Sequence, residues 1–90
     1  NDPTVRELAS IWGKTMAARQ GESLNDRINS CMDAALSRPA SEQEIRHWTA
    51  LVNDLAALHR IAPEAVMTSE TVWTDVAHTL FNLKEFIYTR

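Results

Sequence analysis

The stretch Ser41–His59, SEQEIRHWTALVNDLAALH, decides the fold class that the sequence predicts. Apolar side chains recur in it every three or four residues, which places them along one side of an α-helix: Ile45, Trp48, Val52 and Leu55. Ser41 and Glu44 have the spacing of a capping box, in which each side chain accepts a hydrogen bond from a free backbone N–H at the start of a helix. We therefore predict an amphipathic helix over residues 42–59.

Three further segments show the same helical periodicity. We predict helices over residues 3–20, 24–37 and 70–88. Side chains suited to the N-cap precede these helices: Asp2, Ser23, and Thr68 or Ser69. Gly21 and Pro39 separate the first three helices, and no run alternates with the period of two that is typical of strands. The predicted fold class is all-α, a small bundle of four amphipathic helices that forms one domain over the whole chain.

The predicted core centres on tryptophan. Trp12, Trp48 and Trp73 stand in the middle of the apolar stripes of the first, third and fourth helices, and we expect them to be largely buried in one cluster with Leu80. The stripe of the first helix comprises Val5, Leu8, Ala9, Trp12 and Met16. Gly13 lies beside that stripe, where the missing side chain would let a neighbouring helix approach closely.

Charge and cysteine content narrow the classes of function. Nine Lys and Arg residues stand against twelve Asp and Glu residues, giving a formal charge of −3, so nucleic acid is not an expected partner. No apolar run is long enough for a membrane span. The single Cys31 cannot form a disulfide within the chain, and its place on the apolar face of the second helix predicts a small buried side chain rather than a nucleophile.

The histidines do not form a metal-binding pattern. His47, His59 and His78 lie on different faces or helices, and the sequence contains neither an i, i+4 His pair nor a Cys-x-x-Cys motif. We therefore expect no metal and no cofactor. His59 is expected to place partial positive charge near the free carbonyls at the end of its helix.

The polar face of the fourth helix is the candidate site in the sequence. His78, Asn82 and Glu85 follow at i, i+4 and i+7, on the same side as Asp75, and could bind a small polar ligand or simply face solvent. If the face is solvated, His78→Ala should change the free energy of unfolding by less than about 0.5 kcal/mol. Phe86 interrupts this polar face, and an exposed aromatic there would suit contact with another domain or chain.

Three segments together resemble a known family: Asn1-Asp2-Pro3, Leu36-Ser37-Arg38-Pro39, and Trp73–Tyr88 with the sequence WTDVAHTLFNLKEFIY. The chain resembles the C-terminal part of the planctomycete domain of unknown function 1553, which occurs in large exported proteins. The resemblance implies a bacterial cell-envelope or secreted parent that often carries cytochrome c-like domains. The family supplies no established catalytic residues. Since the chain also begins without Met, we expect it to be the C-terminal part of a longer protein.

Two hypotheses of different classes follow. The first is a non-enzymatic helical module that packs against the remaining domains of its parent protein or against another protein chain. The second is part of an enzyme or carbohydrate-ligand site that uses the polar face of the last helix, which would require a concave pocket there. A helix-turn-helix DNA binder is a third interpretation, and the lack of a Lys/Arg cluster on any one helix argues against it.

Overall fold

The structure, a computed structural model, describes residues 3–88, and the side chains of residues 3–83. It contains four α-helices and one short 3-10 helix: α1 (Pro3–Ala18), α2 (Leu24–Leu36), α3 (Glu42–Leu58), the 3-10 helix (Pro63–Thr68) and α4 (Glu70–Tyr88). No strand occurs in the described part of the chain. The predicted all-α bundle is therefore confirmed.

The ends of the helices follow their capping residues. The Ser23, Ser41 and Ser69 hydroxyls accept hydrogen bonds from the backbone N–H of Asp26, Glu44 and Val72, respectively. The capping box of α3 is complete, because the Glu44 carboxylate in turn accepts from the Ser41 N–H at 2.9 Å. The expected cap at Asp2 lies outside the described residues.

The C-termini of three helices come one or two residues earlier than the sequence predicts. The first helix ends at Ala18 rather than residue 20, and α2 and α3 end at Leu36 and Leu58. Ser37, with φ of 59°, takes the left-handed conformation directly after α2 and thereby ends it before Pro39 is reached. Gly21 has a φ of 78° and turns the chain toward α2, after α1 has already ended.

The segment before α4 is a 3-10 helix where the sequence predicts a loop around Pro63. Val66, in the middle of this segment, is buried, and its carbonyl accepts a hydrogen bond from the indole N–H of Trp73 at 2.8 Å. A six-residue 3-10 turn leaves no periodicity that a sequence pattern could reveal. This contact closes the end of the bundle over the core.

The three tryptophans contribute unequally to the core. Trp48 and Trp73 are buried, 6% and 0% exposed, and Leu80 is buried with them. Trp12 is only partly buried: it packs against the core from its edge and meets the ring of Phe81 edge-on at 4.9 Å. Trp12 thus joins the shared cluster at its edge and is less buried than Trp48 and Trp73.

The inner face of α1 consists of small or flexible side chains: Ala9, Gly13, Met16 and Ala17. An added Cβ at Gly13 would lie 2.0 Å from the Thr74 hydroxyl and 2.7 Å from the Thr74 backbone nitrogen. The predicted close approach at Gly13 is confirmed, and the helix that approaches is α4. Leu8, which the sequence analysis placed in the apolar stripe of the first helix, is exposed, because the small residues rather than Leu8 face α4.

One charged side chain, Arg27, lies inside the bundle. Its guanidinium pairs with Glu22 at 2.6 Å and donates to the backbone carbonyls of Arg19 and Met67. It also lies over the indole of Trp73, 4.8 Å from the ring centroid. Arg27 thereby joins the turn after α1, the 3-10 helix and α4, a role that the sequence analysis did not identify.

Candidate interaction surface

The second side of α1 carries a row of exposed apolar and small residues. This outer stripe of α1 comprises Thr4, Leu8, Ile11, Thr15 and Ala18, all of them exposed. Leu8 and Ile11 are 46% and 58% exposed, although both are large aliphatic side chains. The Thr15 hydroxyl donates to the Ile11 carbonyl at 2.9 Å, so its polar atom is satisfied within the helix. The stripe therefore offers an elongated and largely apolar contact surface.

A groove between α1 and α2 runs beside the outer stripe. Its volume is about 300 Å³, and its walls include Ile11, Trp12 and Thr15 from α1 and Cys31 and Ala34 from α2. Trp12 is partly exposed because α1 and α2 do not close over its indole at this groove. An apolar side chain from another polypeptide could enter the groove and contact both helices.

Cys31, in the wall of the groove, is not a reactive centre. The thiol is buried and donates to the Met16 sulfur at 2.9 Å. Burial raises the pKa of the Cys31 thiol to about 11, because the thiolate would lose its hydration in this apolar surrounding. The chemistry of the groove is therefore that of an apolar binding surface.

Charged side chains border the outer stripe. Glu7 and Lys14 are exposed on one side of it, and neither forms an ion pair with another described residue. On the other side, Arg19 pairs with Glu22 at 2.7 Å and donates to the Ser30 hydroxyl at 3.0 Å. An apolar centre with a charged border is the usual composition of a protein contact surface.

The polar face that the sequence predicts on α4 is divided between different surroundings. Asp75 is not free beside His78. Its carboxylate pairs at 2.6 Å with the ring of His59, the residue that directly follows α3. His59 lies at the C-cap of α3, as the sequence analysis expects, and its ring also makes this interhelical contact. Asn82 is exposed. The side chains of Glu85 and Phe86 lie outside the described residues, so their proposed roles stay predictions.

His78 is partly buried rather than solvated. It follows Thr74 by one helical turn, and Thr74 touches the backbone of α1 at Gly13, so this side of α4 lies close to α1. The Nε2 atom of His78 is buried and has no hydrogen-bond partner among the described residues. His78 and Asn82 therefore do not form the continuous solvated face that the sequence suggests.

The outer stripe of α1 could have been found from its spacing alone. Its residues follow one another at intervals of four and three, the pattern of the contact line of a coiled coil. The stripe predicted from the sequence was instead the one that contains Trp12, the single aromatic residue of α1. A helix with two apolar sides indicates two contacts, one of them outside the domain.

Neither a known type of functional site nor a similar known protein assigns a role to this chain. The described residues contain no group of three His, Cys, Asp or Glu side chains that could hold a metal ion. None of the helices, over the part of the chain described, combines the length and the apolar character needed to cross a membrane. No family model matches the chain, and neither the curated proteins nor the solved structures include a match to it, so the resemblance to the planctomycete domain stays a prediction.

Proposed function

We propose that this chain is a non-enzymatic helical module that binds another polypeptide through the outer stripe of α1. The observation that carries the proposal is the exposure of Leu8 and Ile11, at 46% and 58%, beside an open apolar groove. Burying such side chains in a contact is favourable by about 25 cal/mol for each Å² of apolar surface removed from water. A domain whose core is already formed by other residues has no internal use for this stripe.

The form of the surface favours a helix as the bound segment. The outer stripe is straight, one side chain wide, and flanked by a groove that α2 completes, which is the geometry of helix-in-groove recognition. A bound helix would place apolar residues at i, i+3, i+4 and i+7 between Ile11 and Ala34. Such a contact needs no catalytic group, cofactor or metal.

The proposed setting is a larger exported protein of a bacterial cell envelope, where the partner would be a remaining domain of the parent protein or a separate chain. This part of the proposal is supported by the resemblance of Trp73–Tyr88 to the planctomycete domain. The formal charge of −3 supports a protein partner over nucleic acid.

Photo-cross-linking tests the proposal. p-Benzoylphenylalanine is placed at Ile11 in the protein at its full natural length, and the matched control carries it at Asn53, which is exposed on α3. We expect irradiation to join position 11 to a defined polypeptide segment, mapped by peptide mass spectrometry, and position 53 to none. Equal or absent cross-linking at the two positions would contradict the proposal.

A second candidate function is a polar ligand site on α4, such as a carbohydrate site. The observation in its favour is the buried Nε2 atom of His78, which has no hydrogen-bond partner in the part of the chain that the structure describes and lies one turn from the exposed Asn82. The test is an NMR titration of the His78 ring resonances with neutral oligosaccharides, with His47 as the exposed reference ring. Saturable shifts at His78 alone would support this site, and unchanged resonances would exclude it for the sugars tested.

A further inference from the structure

The order of residues along the outer stripe of α1 defines coiled-coil positions, and this inference rests on the proposed function of that stripe. Leu8 and Thr15 occupy one of the two alternating contact positions, and Thr4, Ile11 and Ala18 occupy the other. Glu7 and Lys14 directly precede Leu8 and Thr15, so both flank the stripe on the same side. Residues in these flanking positions select the partner and its orientation through charge.

Glu7 and Lys14 cannot neutralise each other within one chain. They lie two helical turns apart, about 10 Å along the axis at 1.5 Å per residue. Both are exposed, and the described residues give neither of them an ion-pair partner. Within the described part of the chain neither group finds an opposite charge, and a helix of another molecule can supply one.

A second copy of α1 supplies these charges when it lies antiparallel. If Leu8 is opposite Ile11 of the second copy, then Thr4 is opposite Thr15 of the second copy. The two-fold axis of the dimer repeats each of these contacts with the roles of the two copies exchanged. Glu7 then lies nearly level with Lys14 of the second copy. Because side chains tilt toward the N-terminus of their own helix, the two groups lean toward each other from opposite directions. The symmetry creates the same pair a second time.

The parallel arrangement does not give this match. In a parallel pair, the residue before Leu8 faces the residue after Ile11 of the other helix. The residue before Thr15 likewise faces the residue after Ala18. Glu7 would then meet Trp12, and Lys14 would meet Arg19, a like charge. The charge pattern thus distinguishes the two orientations and favours the antiparallel one.

We infer that the occupant of this surface is a second copy of the same chain, in a two-fold dimer with antiparallel α1 helices. Only Leu8 and Ile11 are large among the residues of the outer stripe, so the apolar contact is small and the dimer is weak and reversible. The two Glu7–Lys14 pairs set the choice of partner and orientation more than the strength of the contact.

Sedimentation equilibrium of the purified chain tests the inference, at concentrations that bracket dissociation constants from about 1 µM to about 1 mM. The key variants are Glu7→Lys and Lys14→Glu, which make all the flanking charges alike within each protein. We expect each variant alone to dimerise about tenfold more weakly than the unmodified chain, because both pairs become repulsive. An equimolar mixture of the two should recover the dimer as a mixed species, since every pair then joins Lys to Glu.

The controls separate charge from folding. Thermal melts should show that both variants stay folded, because residues 7 and 14 are exposed, and Arg46→Glu on α3 should leave the dimer unchanged. A chain that stays monomeric overturns the inference, as does a dimer whose strength the two variants do not alter, or a mixture without the mixed dimer. The proposed function is judged separately: a cross-link from position 11 to a different polypeptide would uphold it while rejecting the second copy.

Discussion

At the scale of single residues, Arg27 shows how much one charged group can depend on its surroundings. Its side chain is 1% exposed, and its bonds go to Glu22 and to two backbone carbonyls from other segments. A buried ion pair adds little net stability compared with apolar residues. Removal of Arg27 would leave Glu22 with Arg19 as its partner, but it would leave two backbone carbonyls without their donor. Arg27 is therefore more important for how the segments are arranged than for the total stability.

Arg27→Ala is expected to lower the free energy of unfolding by about 2–5 kcal/mol, because the carbonyls of Arg19 and Met67 lose their donor, while Glu22 keeps only its ion pair with Arg19. Urea denaturation measures this effect. The matched control is Arg46→Ala, an exposed arginine on α3 that should unfold at the same urea concentration as the parent. Equal midpoints for the two variants would show that Arg27 does not hold the segments together.

Glu44 gives a prediction about pH. The hydrogen bonds from the Arg38 side chain, and then those from Ser41, lower the pKa of Glu44 from 4.5 to about 2. Since the folded-state pKa is depressed, the contribution of Glu44 to stability is fully present above about pH 5 and is lost as the pH falls toward 2. The difference in free energy of unfolding between the parent and Glu44→Gln should therefore shrink steadily over this range.

Denaturation curves at several pH values test this, with Glu64→Gln as the control because Glu64 is exposed in the 3-10 helix. The side chains of Arg38 and Glu44 are 50% and 30% exposed, so solvent and salt should reduce the effect, and it should be smaller at high ionic strength. A difference between parent and Glu44→Gln that is constant with pH would contradict the assigned role of the capping box.

At the scale of helices, the sequence predicted the position of each helix along the chain better than it predicted which side of a helix faces the core. Caps and periodicity are local, so Ser23, Ser41 and Ser69 could be recognised from the residues beside them. The inward side of α1 is not a local property. It depends on α4, which packs against the small residues at Ala9 and Gly13, and this choice leaves Leu8 outside although Leu8 is the more hydrophobic residue.

Gly13→Ala should be destabilising even though alanine favours a helix over glycine by about 1 kcal/mol. The new methyl group would overlap the Thr74 hydroxyl and also its backbone nitrogen and Cα, at 2.7 and 2.8 Å, so rotation of the Thr74 side chain cannot make room. We expect a net loss of about 1–3 kcal/mol in the free energy of unfolding as α1 and α4 separate.

Chemical denaturation checks this prediction, with Arg6→Ala as an exposed position on the same helix, away from the outer stripe and its flanking charges. That control changes helix propensity only slightly and should leave the midpoint close to that of the parent. A Gly13→Ala protein that is more stable than the parent would show that helix propensity outweighs the packing of α1 on α4.

At the scale of the whole molecule, α4 organises the fold and α1 carries the proposed contact surface. Trp73 of α4 is fully buried, and its indole N–H donates a hydrogen bond to a carbonyl of the 3-10 helix. The Arg27 guanidinium lies over the Trp73 ring. These contacts join segments far apart in sequence, which is why the helices could be predicted and the Arg27 cluster could not. The candidate surface depends on which side chains the packing of the helices leaves uncovered. The sequence alone therefore suggested a site on the polar face of α4, whereas the structure favours the outer stripe of α1.

The partial exposure of Trp12 leads to a last prediction, in which two tryptophans respond differently to the same change. Trp48 is buried among core residues of α2, α3 and α4, so Trp48→Ala leaves a cavity and should lower the free energy of unfolding by about 3–5 kcal/mol. That loss is comparable to the whole stability of many small domains, and the variant should be largely unfolded.

Trp12→Ala should leave a folded protein, because the indole already borders the open groove and its removal widens that groove instead of creating a closed cavity. Thermal melts followed by circular dichroism compare the two variants, with His47→Ala as the exposed neighbour of Trp48. His47 is a better control than His78, whose ring nitrogen is buried. If Trp12→Ala unfolds the protein as fully as Trp48→Ala does, the groove is closed in solution, and the surface proposed for partner binding then has no room for a second helix.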